Sequence, residues 1–109
     1  MGKYQLGEFE EVVLLTVAIL QGDAYGIAII EEMEQRLDRK VSIGSLQTVL
    51  RRLEKKGYLK SEFGEATAVR GGKRKRYFEL TQHGQKILQE AKEMRVGLWN
   101  AIPDLALGK

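Results

Sequence analysis

At 109 residues and 43% hydrophobic content, the chain can bury one modest core but not two. It has no cysteine and a single histidine, His83, which excludes disulfides and thiolate metal sites, gives no basis for a metal cluster or cofactor, and fits a reducing compartment. The net charge of +3 is small but uneven. Ten Lys/Arg against three Glu lie between Arg51 and Arg76, a net +7, so the rest of the chain carries −4, and one basic surface on an otherwise acidic protein points to a polyanion as partner.

Residues Gly7 to Leu20 predict a first helix that starts acidic, favourable at the positive end of its dipole, and then turns apolar all round through Val12, Val13, Leu14, Leu15, Val17, Ala18, Ile19 and Leu20. The valines and isoleucine also suit a strand, but a run this long without alternation favours a buried central helix. The apolar stretch is nine residues, too short to span a bilayer, and it follows Glu8, Glu10 and Glu11 where a secretion signal carries positive charge. A cytoplasmic protein with no membrane partner is therefore expected. Gln21-Gly22-Asp23-Ala24 breaks the helix, with Asp23 available to cap a second one over Ala24–Leu37, where Ile27, Ile30, Met33 and Leu37 hold core spacing.

Val41 to Gly57 predicts a third helix with two faces. Ser42 suits the N-cap, Gly57 suits the left-handed residue past the last turn, and Ile43, Leu46, Val49, Leu50 and Leu53 share one apolar side. Opposite lie Gly44, Thr48, Arg51 and Lys55, flanked by Ser45, Gln47 and Arg52. Small and hydrogen-bonding residues at the amino-terminal end, turning basic farther along, suit a helix lying in a DNA groove; a merely solvated polar face has the same composition. With the preceding helix it makes a helix-turn-helix.

The period then changes. Leu59, Ser61 and Phe63 alternate with Lys60 and Glu62, and Arg74, Arg76, Phe78 and Leu80 alternate with Lys75, Tyr77 and Glu79, giving an antiparallel hairpin around a loop from Gly64 to Gly72. Arg70, Lys73, Arg74, Lys75 and Arg76 surround Gly71-Gly72 near its tip, as in the wing of a winged helix, where cations can reach phosphate or the minor groove. Thr81 is placed to cap a last helix running toward Pro103, roughly 33 Å long at 1.5 Å per residue. Along it Ile87, Ala91, Met94, Leu98, Ala101 and Leu105 alternate four-three spacings like a coiled-coil seam, with Trp99 and Ile102 beside them. That apolar surface either folds back on the first helix or is buried by a second subunit.

The strings Leu6-Gly7-Glu8-Phe9-Glu10, Ala24-Tyr25-Gly26, Gly44-Ser45-Leu46, Arg70-Gly71-Gly72 and Tyr77-Phe78-Glu79-Leu80-Thr81 with Gly84 resemble the PadR family of bacterial transcriptional regulators over nearly the whole chain. The resemblance implies a mainly α fold with a small β-hairpin: a winged helix-turn-helix at residues 1–80 that binds DNA and a C-terminal dimerisation helix at 81–109, in the short branch of the family. It further implies a repressor that binds a palindromic operator as a homodimer and is released by a small aromatic ligand or a stress signal. Expected DNA contacts are Tyr25, Ser42, Gly44, Ser45, Gln47, Thr48, Arg51, Arg52, Lys55, Arg70, Gly71, Gly72, Lys73, Arg74 and Lys75, and the expected dimer interface is Ile87, Ala91, Met94, Leu98, Trp99 and Ile102. Where the family usually carries an aromatic, typically Tyr, this chain has Gln47, so the backbone contact of that aromatic does not carry over, although a glutamine can bond phosphate or adenine. Tyr25 suits a core-edge aromatic as well as a phosphate contact, and Trp99 suits interface packing as well as an apolar or aromatic effector. No nucleophile, base and phosphate-binding motif come together here, so an enzyme is not expected. The competing reading is a winged-helix module for protein assembly or RNA; the basic hairpin and the placement of the aromatics Tyr77 and Phe78 in a core-facing strand argue for DNA instead.

Overall fold

The computed structural model describes residues 6–64 and 74–108. Four helices and one two-stranded sheet follow in the order α1 (Glu8–Ile19), α2 (Gly26–Leu37), α3 (Ile43–Lys55), β1 (Leu59–Phe63), β2 (Arg76–Leu80) and α4 (Gln82–Asn100), with a short 3-10 turn at Asp104–Leu107. This is a winged helix-turn-helix with a long C-terminal helix.

Three of the four α-helices begin where a nearby side chain bonds a backbone N–H at their start. The Ser42 hydroxyl accepts from the Ser45 N–H at 3.1 Å, and the Thr81 hydroxyl accepts from the Gly84 N–H at 2.9 Å, so the two expected caps of α3 and α4 are in place. At α1 the cap residue is Gly7, and the Glu10 carboxylate reaches back to accept from the Gly7 N–H at 2.9 Å. Asp23 does not cap α2. Tyr25 takes the N-cap position with extended backbone, because Ala24 is fully buried and its carbonyl accepts from the Phe78 N–H at 2.9 Å, pinning the α1–α2 connection to β2.

The core gathers Val13, Leu14 and Val17 of α1, Ile29 and Met33 of α2, Leu46, Val49, Leu50 and Leu53 of α3, Leu59 and Phe78 of the hairpin, and Ile87 of α4. Two expectations need correction. Helix α1 is not buried all round, since Leu15 and Ile19 on its outer side are about half exposed. In α2 the buried stripe runs through Ile29 and Met33, whereas Ile27 and Leu37 face out. Both candidate stripes contain Met33, so spacing left the roll of α2 open, and the anchorage of Ala24 to β2 turns Ile29 inward. Ile43, at the first turn of α3, likewise stands partly in solvent.

The hairpin is antiparallel with Leu59 opposite Leu80, Ser61 opposite Phe78 and Phe63 opposite Arg76. Gly57, at φ 84°, turns the chain from α3 into β1 and accepts from the Thr81 hydroxyl at 2.6 Å through its carbonyl, while the Thr81 N–H donates to the Tyr58 carbonyl. Helix α4 is therefore docked at its start, and Ile87 and Ala91 are buried inside the same chain at 5% and 3% exposure. That corrects their placement in a dimer seam. A bidentate pair from Arg95 to Glu11 is the last side-chain hydrogen bond from α4 to α1 among the described residues. Beyond it, within a molecule 61 Å long and 29 by 21 Å across, the helix carries Val96, Leu98 and Trp99 exposed. The nineteen helical residues span about 28 Å. The helix stops at Asn100, and Pro103 opens the 3-10 turn that takes Leu105 off the seam.

Candidate nucleic-acid interface

Between the outer face of α3 and the start of β2 lies a groove of about 700 Å³, lined by Tyr25, Gly26, Ile27, Ile43, Gln47, Leu50, Arg51, Glu54, Arg74, Lys75, Arg76 and Phe78. One wall is the side of α3 that carries Ile43, Gln47, Leu50, Arg51 and Glu54, and the other is the cationic base of the hairpin. Lys75 holds its ammonium 4.2 Å from the centre of the Tyr25 ring, and Tyr25 meets Tyr77 edge-on at 5.6 Å, so the half-buried Tyr25 forms the corner between α2 and the wing.

The angle between the two walls is fixed by a polar network. Arg76 donates to the Ser61 hydroxyl at 2.9 Å and to Glu54 of α3 at 3.3 Å, Ser61 donates to the other Glu54 oxygen at 2.7 Å, and the guanidinium lies over the Phe63 and Phe78 rings. Arg76 is thereby a strut, whereas Arg51, Lys55 and Arg74 are exposed and make no ion pair among the described residues.

The model of the transcriptional regulator PadR-like family matches residues 14–90, which run from the middle of α1 into α4. The chain belongs to the PadR-like family of transcriptional regulators. A PadR-like transcription factor of Bacteroides fragilis superposes with a TM-score of 0.73 at 26% identity over 84% of each chain. A PadR family transcriptional regulator of Eggerthella lenta gives 0.69 at 26% identity, over 91% of this chain and 86% of that one. A Streptococcus mutans protein gives 0.60 at 30% identity, over 80% and 76%. No curated protein matches. Among the described residues no helix is long and apolar enough to cross a membrane.

In this PadR-like winged helix the expected DNA contacts other than Tyr25, which stands at the corner of the groove, divide into three groups. Gly44, Ser45, Gln47, Thr48, Arg51 and Lys55 are exposed on α3, and Arg74 and Lys75 are exposed where the hairpin begins its return. Thr48 donates its hydroxyl hydrogen to the Gly44 carbonyl at 3.1 Å, which leaves its oxygen to accept and its methyl to pack. A Cβ built on Gly44 meets nothing within 4 Å, so no neighbour in the chain requires a glycine there.

The second group has structural work. The Ser42 hydroxyl accepts from the Ser45 backbone and donates to the Ser45 hydroxyl at 2.9 Å, which commits it to the cap. Arg52 lies 3.4 Å from Glu10, and Lys56 lies 3.2 Å from the same carboxylate, so Arg52 is drawn toward α1 and away from the groove. Glu10 itself was not legible as a partner. It is 5% exposed, and although burial pushes its carboxyl up, the Gly7 N–H, the Lys56 ammonium and the Arg52 guanidinium outweigh that and hold it below the ordinary value. The only signal in the sequence is the spacing of Gly7 and Glu10, which fits half a capping box.

The third group, Arg70, Gly71, Gly72 and Lys73, lies outside the described residues. Of the expected dimer residues, Met94 and Ile102 are half-buried, whereas Leu98 at 65% and Trp99 at 61% stand in solvent.

Proposed function

We propose that this PadR-like regulator is a cytoplasmic repressor that binds a palindromic operator as a homodimer, with residues 81–109 joining the subunits. The observation that carries the reading is the groove itself, in which Gln47 and Arg51 of α3 face Arg74 and Lys75 of the wing, with Gly44 and Thr48 exposed on the same helix. A helix amino-terminus with small and amide side chains fits a major groove, and cations at the hairpin fit the phosphates on either side. Support for the homodimer comes from the projecting part of α4, where Val96, Leu98 and Trp99 put large apolar side chains together in water and Gly97 has open space above it. A two-fold pair presents its α3 helices to half-sites one helical turn apart, about 34–36 Å. A planar apolar effector would enter beside Trp99 between subunits and shift the separation of the two α3 helices.

Selection of bound duplexes from a random pool tests this reading, and Gly44→Ala sharpens it. The protein should enrich a palindrome with half-sites about one turn apart. A methyl on Gly44 meets open space in the chain but occupies the surface nearest a base edge, so the variant should be as stable as the parent or up to about 1 kcal/mol more stable. Its affinity for the enriched duplex should nevertheless fall by about tenfold, through overpacking against the bases. Enrichment of no palindrome contradicts the proposal, and unchanged affinity in the variant removes the start of α3 from the DNA surface.

A further inference from the structure

We propose that Ile43, with Ile27 lining the same groove, reads thymine methyl groups and thereby fixes a thymine within two base steps of the base met by Gln47 in each half-site; this rests on the reading that α3 enters the major groove. Ile43 is the first residue of α3 and on spacing belongs to its core stripe, yet it is 43% exposed, and Ile27 near the start of α2 is 53% exposed. Both side chains open into the groove that Gln47, Arg51 and Lys75 line. Two branched aliphatics in the floor of a cationic groove do nothing for binding to phosphate or its water, which calls for donors and charge. On the major-groove edges of the four base pairs, the apolar feature is the C5-methyl of thymine, and aliphatic or methyl-bearing side chains are what meet it.

Ile43 lies over Gly26. Its Cδ1 would lie 3.1 Å from a Cβ on Gly26, tighter than an ordinary contact, so the side chain settles over the bare backbone of that glycine and leaves its remaining surface toward the groove. Gln47 stands four residues along the same face, about 6 Å farther on the helix axis, against a rise of about 3.4 Å per base step. The two side chains therefore reach base pairs one or two steps apart. The amide of Gln47 matches adenine, which offers N7 and N6 together, and Ile43 matches a thymine one or two steps away. A serine or lysine at position 43 would keep the cap and lose this discrimination.

The test uses the full chain and the duplex enriched by selection, with each thymine replaced singly by deoxyuridine, which removes only the methyl. Wild-type protein should show one position per half-site where the loss lowers affinity by about fourfold, the equivalent of burying one methyl group. In Ile43→Ala the affinity for the thymine duplex should fall by a similar factor, and that position should become indifferent to the methyl, while Gln47→Ala leaves the methyl effect in place. A specific complex that ignores every deoxyuridine, or a methyl effect that persists unchanged in Ile43→Ala, overturns the assignment and leaves operator binding intact. Absence of any sequence-specific complex overturns operator binding, and the assignment with it.

Discussion

Gly84→Ala should cost the fold about 3 kcal/mol or more, although it adds one methyl to a helix. The added Cβ would stand 2.1 Å from the carbonyl oxygen of Tyr58 and 3.0 Å from its carbonyl carbon, backbone atoms that cannot rotate away as a side chain can. The same residues hold the start of α4. The Tyr58 carbonyl accepts from the Thr81 N–H, and the Gly57 carbonyl beside it accepts from the Thr81 hydroxyl, so relief of the clash breaks the cap and pulls Ile87 from the core. Gly97→Ala is the control, because a Cβ there meets nothing within 4 Å of its own chain. Its own effect in the monomer should be neutral or a gain of up to about 1 kcal/mol. Urea unfolding at constant slope measures both. A Gly84→Ala midpoint equal to that of the parent would mean that α4 is not docked against the Gly57-Tyr58 turn.

Leu98→Glu should leave the subunit folded and separate it from its partner. The side chain is 65% exposed on a helix, where leucine and glutamate have similar propensity, so the monomer loses little. In a dimer joined through this surface the carboxylate would be desolvated on both sides without a partner. Sedimentation at micromolar concentration should then give monomers, with affinity for a two-half-site duplex lowered by at least about a hundredfold as the second half-site loses its tethered copy. A variant that stays dimeric would move the interface elsewhere, and the outer face of α1 with its exposed Leu15 and Ile19 is the next surface to examine.

What the sequence made legible were features with a local cause. Ser42 and Thr81 announce their helices because a cap acts within three residues, and the alternation around Ser61 and Phe78 announces the hairpin because a strand has period two. The stripe of α3 was readable for the same reason, from Leu46 to Leu53. Less legible was whatever depends on residues distant in the chain. Ile27, Ile29 and Ile30 allow two rolls of α2, and the choice is made by a hydrogen bond from Phe78, some fifty residues on. Arg52 looked like a DNA contact since nothing near it in sequence shows that Glu10 will be buried against it. Ile87 and Ala91 fit a seam by spacing, and spacing does not distinguish the core of one chain from the interface of two.

Affinity across a salt series, on the selected duplex and on random DNA, tests most directly the claim that α3 reads sequence while the wing meets phosphate. Arg74, exposed and without an ion pair among the described residues, represents the wing, and Gln47 represents α3. Arg74→Ala should weaken both duplexes alike and flatten the slope of log K against log salt by about 0.9 for each phosphate that is no longer neutralised. Gln47→Ala should cost about 1–3 kcal/mol on the selected duplex, little on random DNA, and leave the slope nearly unchanged. The opposite pattern, with sequence preference abolished in Arg74→Ala and only salt dependence reduced in Gln47→Ala, would contradict the claim.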